Sequence, residues 1–145
     1  MPFTALADPL KGKPSVIDGD TLEIAGERIR LHGIDAPEAK QTCTVRGVPW
    51  ACGEEATLAL IYKTAEHWVK CEMQSKDRYG RHIATCYVGP YDLNRWMVGN
   101  GWTIAYRYYL EKYVVEEEQA LAEGLGIWRG EFIEPYKWRM GQRGR

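Results

Sequence analysis

Three short segments with a period of two follow one another between residues 15 and 35, and they constrain the fold more than any other feature. Ser15–Asp18 leads into a turn at Gly19, Thr21–Ile24 alternates cleanly, and residues 28–35 alternate again. Alternation of this kind predicts β-strands buried on one face. Pro37 ends the third strand, because proline lacks the N–H that the strand ladder needs.

The remaining chain mixes helical and extended patterns. Apolar spacing or a terminating glycine predicts three helices, over residues 53–66, 91–100 and 110–123. Strands are predicted over residues 69–73 and 82–88, an extended segment over 102–106, and a loop over 39–52. Ala56 and Leu60, together with Leu58 and Ile61, are expected to face inward from the first helix. This order predicts an α+β protein with a five-stranded OB-type β-barrel and about three helices.

Composition indicates one soluble domain. The 145 residues are 45% hydrophobic and 27% charged, and we expect a tail over residues 1–12, a folded domain over 13–140 and a disordered tail over 141–145. A net charge of −1 argues against binding nucleic acid by charge alone. No apolar run reaches the roughly 18 residues of a membrane span. We expect a monomer with no membrane and no obligate protein partner.

Four cysteines, at positions 43, 52, 71 and 86, predict the compartment. Cys43 and Cys52 bracket a loop, while Cys71 and Cys86 lie at nearly mirrored distances from a turn, so we expect the pairs 43–52 and 71–86. Disulfides indicate a periplasmic or secreted protein. Residues 4–7 look like the end of a secretory cleavage site whose leader Met1 replaces. Four buried thiols in a reducing cytosol, and a disordered start, remain the alternatives.

Carboxylates cluster around the end of the third strand. Asp20 and Asp35 each end or follow a strand, and carboxylates with backbone oxygens and water suit calcium or magnesium. Glu38 follows Pro37, which stiffens the exit from the strand, so its carboxylate is placed to accept a proton from an attacking water. Considered alone, an aspartate in the Asp-Gly-Asp segment is also typical of a turn, and Glu38 is also typical of an exposed surface residue.

Two arginines complete a phosphodiesterase pattern. Arg30 alternates with Ile29 and Leu31, and Arg81 follows the turn-like residues 77–80. Each guanidinium is a planar donor fork that matches phosphate oxygens and keeps its charge. We expect substrate contacts from Arg78, Tyr79, Tyr106 and Tyr108. The three histidines share no spacing and receive no function.

Residues 16–21, 30–38 and 77–81 together resemble the staphylococcal-type nuclease (thermonuclease) family, and residues 101–106 and 126–128 match it more weakly. The resemblance runs from about residue 14 to residue 128. It implies an OB barrel with three helices and a Ca²⁺-dependent nuclease acting on DNA and RNA, single-stranded or locally melted. It also implies water attack at phosphorus, departure of the 5′ oxygen and 3′-phosphate products.

The resemblance also assigns roles to residues. Asp20, Asp35 and the backbone carbonyl of Ala36 match the calcium ligands, Glu38 the general base, and Arg30 and Arg81 the arginines that bind the scissile phosphate. Tyr79 matches a contact to a terminal phosphate, and Tyr106 one near the base. Ala36 stands where the best-known members have threonine, and the 43–52 loop replaces a lysine-rich loop.

Two other functions fit the same sequence. OB barrels often bind nucleic-acid strands without cutting them, so a catalytically weak binding module is one alternative. An accessory protein in envelope polysaccharide production is the other.

Overall fold

The computed structural model describes residues 8–106 and 112–142. In chain order the described elements are β1 (Leu10–Gly12), β2 (Ser15–Asp18), β3 (Thr21–Ile24), β4 (Glu27–Leu31), β5 (Ile34–Asp35), β6 (Cys43–Val45), β7 (Val48–Trp50), α1 (Cys52–Thr64), β8 (Val69–Lys76), β9 (His82–Val88), β10 (Tyr91–Asp92), α2 (Leu93–Gly99), β11 (Ile104–Ala105), α3 (Val114–Glu123), a 3₁₀ helix (Gly126–Arg129) and α4 (Pro135–Arg139).

The central feature is a curled, half-barrel sheet with the strand order β1-β8-β9-β4-β3-β2 and β10 added beside β9. The β4–β9 pairing is parallel, whereas the other pairings in this sheet are antiparallel. This confirms the α+β, OB-type fold class. Leu10 pairs with Cys71, so residues 10–12, assigned to the tail from the sequence, add a strand to the five expected ones.

The core lies inside the curl of the sheet. Its largest fully buried side chains include Leu22, Ile29 and Leu31 from the sheet and Leu60 and Met97 from α1 and α2. Helix α1 packs through Ala56 and Leu60 as expected. The expectation that Leu58 and Ile61 face inward is wrong, because they are 37% and 38% exposed.

Backbone turns explain where the other elements differ from expectation. The predicted third strand breaks at His32 and Gly33, where a positive φ of 80° at Gly33 separates β4 from β5. Within the predicted loop over residues 39–52, residues 43–50 form the β6–β7 hairpin. Helix α2 begins at Leu93, because the Asp92 side chain accepts a hydrogen bond from the Arg95 N–H and caps it. The predicted helix over 110–123 begins at Val114, and residues 107–111 lie outside the described part.

Both predicted disulfides are confirmed. Cys71 and Cys86 are direct partners in the β8–β9 register, with Cα atoms 4.0 Å apart. Cys43 and Cys52, whose Cα atoms are 5.7 Å apart, join β6 to the start of α1.

The C-terminal part of the described chain forms a short helical segment. The N–H groups of Gly141 and Gln142 donate to the carbonyls of Trp138 and Lys137, so these two residues extend the turn after α4. Residues 143–145 of the predicted tail lie outside the described part. Within residues 8–106 and 112–142, no helix combines the length and apolar character that a bilayer crossing requires.

Candidate active site

One cleft of about 940 Å³ collects most of the residues that the sequence singled out. Its lining includes Asp20, Arg30, Glu38, Arg78, Tyr79, Arg81 and Tyr106. Asp35 is fully buried beside it, and Ala36 is 1% exposed. Tyr108 lies outside the described residues. The turn after β2, strand β4 and the β8–β9 hairpin therefore converge on one face of the half-barrel.

Arg30 connects the two aspartates. Its side chain leaves β4 on the face opposite Ile29 and Leu31, which are buried in the core. Its Nη1 lies 3.4 Å from Asp20 Oδ2, and its Nη2 lies 3.3 Å from Asp35 Oδ1. Nη1 also donates to the Ile34 carbonyl at 2.9 Å. Asp20 and Asp35 thus share one guanidinium, as a common site requires.

Asp20 is held as a carboxylate. It accepts hydrogen bonds from the Ala36 N–H at 2.8 Å and from the Thr21 hydroxyl at 2.9 Å. Burial opposes ionisation, but the Arg30 charge and the hydrogen bonds from Asp18, Ala36 and Thr21 outweigh it and lower the pKa of Asp20. Burial and then the Asp20 charge raise the pKa of Asp18 to about 7. The negative charge of Asp20 therefore disfavours ionisation of Asp18. Asp18 lines the cleft and was not assigned a role from the sequence.

Arg139 is a cleft residue that the sequence did not reveal. From α4 its Nη1 donates to Asp35 Oδ1 at 2.9 Å and to Glu38 Oε1 at 2.8 Å, and its Nη2 donates to Asp35 Oδ2 at 3.3 Å. Burial nevertheless raises the pKa of Asp35 to about 6. Arg139 and Asp35 are separated by 104 positions, and the segment around Arg139 shows no periodic pattern, so no local feature predicts this contact.

Glu38 is positioned through its backbone as well. Its N–H donates to Gln41 Oε1 at 3.1 Å, and Gln41 Nε2 donates to the Ile133 carbonyl at 2.7 Å. Gly53 at the start of α1 packs directly against the Glu38 carbonyl, where a Cβ would collide. A buried glutamine and a glycine, neither singled out from the sequence, thus place this carboxylate at the cleft.

The β8–β9 hairpin presents the second arginine. Asp77 accepts hydrogen bonds from both the backbone and the side chain of Arg81. Arg78 donates to the Tyr79 hydroxyl at 2.8 Å, and both arginines lie within 6 Å of the Tyr79 ring centre. Because Tyr79 is 70% exposed, this hairpin offers a ring and two cations at the cleft rim.

The donor chemistry fits a hard cation. Asp20 and Asp35 supply carboxylate oxygens beside the Ala36 backbone, and such a set is completed by water in calcium and magnesium sites. Within the described ranges, 8–106 and 112–142, no three His, Cys, Asp or Glu side chains are grouped as a metal site would group them. Guanidinium groups meanwhile contact both oxygens of Asp35.

Comparison with known proteins identifies the family. The family model described as "Staphylococcal nuclease homologue" matches residues 28–130. The chain belongs to the staphylococcal nuclease family. The matched part contains Arg30, Asp35, Glu38 and Arg81, so it covers most of the candidate site.

Several relatives are similar to this chain over most of their length. "Succinoglycan biosynthesis protein ExoI" of Rhizobium meliloti is 40% identical over 96% of this chain and 75% of its own. An "Uncharacterized endonuclease" of Haemophilus influenzae is 32% identical, over 88% of this chain and 71% of its own. "Micrococcal nuclease" of Shigella flexneri is 31% identical, over 88% and 79%. The relatives of this chain therefore carry both nuclease and biosynthetic names.

Proposed function

We propose that this protein is a Ca²⁺-dependent nuclease that hydrolyses phosphodiester bonds in DNA and RNA. The observation that carries the proposal is the convergence of Arg30, Arg81 and Glu38 with Asp20 on one cleft, beside the buried Asp35. Two guanidiniums, a carboxylate placed to take a proton and acidic oxygen donors are the groups that phosphodiester hydrolysis requires. Nuclease names among the relatives support the same activity.

Each residue has a role in this proposal. Asp20, Asp35 and the Ala36 carbonyl would hold the calcium ion, which supplies positive charge to the phosphate oxygens and the attacking water. Glu38 takes the proton from that water. Arg30 and Arg81 hold phosphate oxygens as negative charge develops on phosphorus. By family resemblance the 5′ oxygen leaves, which gives a 3′-phosphate product.

The cleft rim supports a short, single-stranded or locally melted substrate. Arg78, Tyr79 and Tyr106 border the cleft, where a tyrosine ring stacks on a base or its hydroxyl contacts a phosphate. Tyr108 is proposed to join them. Because the net charge is −1, we expect few phosphate contacts and a shallow dependence of affinity on salt.

The two disulfides support a periplasmic or secreted location, since such bonds persist in oxidising compartments. We propose that the protein works there as a monomer without an obligate partner. Four reactive thiols in the denatured, unreduced protein would contradict both bridges.

Digestion of a plasmid and of single-stranded DNA and RNA, with calcium and then with chelator, tests the proposal. Glu38→Gln should lower kcat by about 10²–10⁴, the usual range for a lost acid–base group. Glu54→Gln is the matched control, because it makes the same change at an exposed position of α1. Near-normal activity of Glu38→Gln would place the base elsewhere, and calcium-independent cleavage would refute the cofactor.

A second candidate function is an accessory role in envelope polysaccharide production. The relative from Rhizobium meliloti, with its biosynthetic name and 40% identity, favours it. A thermal shift that responds to saccharide and not to nucleotide or calcium, together with no cleavage, would replace the nuclease proposal. Nucleotide binding without cleavage would instead identify a binding module.

A further inference from the structure

We propose that Arg139 is an internal counter-ion of the candidate cation site, and that a divalent cation displaces it together with α4. The inference rests on the proposed function only for the place where the cation binds. It makes α4 a latch: docked on the acidic residues without the cation and released when the cation is bound.

The contacts of Asp35 leave little room for a cation while Arg139 is docked. Its Oδ1 receives Arg139 Nη1 at 2.9 Å and Arg30 Nη2 at 3.3 Å, and its Oδ2 receives Arg139 Nη2 at 3.3 Å. An ionised carboxylate oxygen accepts about two hydrogen bonds. Calcium binds oxygen at about 2.3–2.6 Å, so it cannot take Oδ1 without removing a donor, and at Oδ2 it would lie directly beside the Arg139 guanidinium.

Arg139 is the donor that leaves, because Arg30 is more firmly held. The Arg30 side chain is 14% exposed and also donates to the carbonyls of Leu31 in its own strand and Ile34 in the next strand. The Arg139 side chain is 39% exposed and projects from a helix of five residues. Of the two arginines that contact Asp35, Arg139 on the short helix α4 is therefore the one that a cation can displace.

Electrostatic repulsion opposes docking of Arg139 and binding of the cation at the same time. A guanidinium within hydrogen-bond distance of Asp35 would lie beside a divalent ion bound to the same carboxylate, and like charges repel at that range. The ion therefore weakens docking of α4, and docking of α4 weakens ion binding by the same factor.

Calcium titration by calorimetry of the full chain tests the coupling without any nuclease assay. Arg139→Gln should bind calcium about tenfold more tightly, the equivalent of one charge-assisted hydrogen bond. Lys137→Gln is the matched control: it removes the same charge from the same helix, but Lys137 pairs with Glu134 at 3.1 Å. Its affinity should stay within about twofold of the parent, since it alters a surface pair only. The calcium affinity of Arg139→Lys should lie between those of the parent and Arg139→Gln. Arg139→Lys serves as the test variant if Arg139→Gln does not fold.

Hydrogen exchange read by mass spectrometry supplies the second readout. In the parent protein calcium should increase the protection of residues 18–38 and decrease that of residues 135–142, where Trp138 and Met140 donate to Glu134 and Tyr136. In Arg139→Gln, the protection of residues 135–142 from exchange should already be low before calcium is added.

The outcomes separate the latch from the nuclease proposal. Equal calcium affinities of the parent and both Arg139 variants, no calcium binding at all, or increased protection of residues 135–142 on binding would each overturn the latch. If the parent still cleaves DNA with calcium in the first or last of these cases, the proposed function stands. Tighter calcium binding by Arg139→Gln without any cleavage would support the latch and refute the nuclease.

Discussion

Arg81 donates two hydrogen bonds to the carboxylate of Asp77 in the β8–β9 hairpin. Asp77 Oδ1 accepts the backbone N–H of Arg81 at 2.9 Å, and Asp77 Oδ2 accepts its side-chain Nε–H at 2.8 Å. The same carboxylate also accepts the Tyr79 N–H at 2.9 Å. The turn that reverses the chain therefore also orients a candidate phosphate-binding arginine before any substrate arrives.

Asp77→Ala is expected to lower kcat/KM by up to about 10²-fold, because it leaves the Arg81 side chain unanchored and misplacement of a catalytic group costs that much. Asp77→Asn retains an oxygen acceptor for the backbone N–H groups, so its kcat/KM should lie between those of the parent and Asp77→Ala. Steady-state kinetics on an oligonucleotide measures both. Parent-like kinetics of Asp77→Ala would show that Arg81 needs no such support.

The two candidate arginines should differ in their effect on stability. Replacing either by lysine removes the planar fork and should lower kcat by about 10²–10³, the cost of one lost transition-state donor. Arg30→Lys should also lower the melting temperature, because Arg30 bridges Asp20 and Asp35 and donates to the Ile34 carbonyl. Arg81→Lys, whose side chain is 31% exposed, should leave it nearly unchanged. Calorimetry together with kinetics would reveal the contrast, and equal melting temperatures would contradict it.

Gly53→Ala should reduce activity by displacing Glu38, since a methyl group at residue 53 collides with the Glu38 carbonyl. Both activity and melting temperature should fall, because the neighbouring backbone must shift. Gly99→Ala is the matched control: no atom lies within 4 Å of its added methyl group, and alanine favours the helix. Unchanged activity of Gly53→Ala would show that the Glu38 backbone tolerates displacement.

Asp18→Asn should change the dependence of stability on pH in the metal-free protein. The Asp18 pKa is raised from 3.8 to about 7 on folding, so the folded state binds the extra proton and loses stability as pH rises through this window. The asparagine side chain of the variant does not titrate, while its oxygen retains the hydrogen bond from the Asp20 N–H. Asp35 is present in both proteins, so its contribution cancels.

Melting temperatures in chelator at pH 5 and pH 8 check this expectation. Between these values the parent should lose about 10 °C more than Asp18→Asn, because pH 5 lies about two units below the raised Asp18 pKa and each unit corresponds to about 1.4 kcal/mol. Parallel losses in the two proteins would mean that Asp18 is ionised across the whole range.

Local patterns were sufficient for much of the fold. Strands β2, β3 and β9 have the predicted boundaries, because alternation, turn residues and burial on one face all coincide in them. The break at His32–Gly33 and the β6–β7 hairpin were not predicted, since a positive φ leaves hydrophobic periodicity unchanged and strands of three residues are too short to show it. The two disulfide pairs followed from spacing around turns.

The sequence by itself determined the residue types of the site and the family, since the segments containing Asp20, Arg30, Glu38 and Arg81 are short and each lies next to a turn or strand end. Tertiary structure alone decided the remainder. The parallel β4–β9 pairing brings the two arginines to one cleft, Gln41 and Gly53 hold the Glu38 backbone, and Arg139 crosses to Asp35 from 104 positions away. The physical reason is that periodicity reports how one segment is buried, whereas a charge contact between distant segments depends on how the whole chain packs.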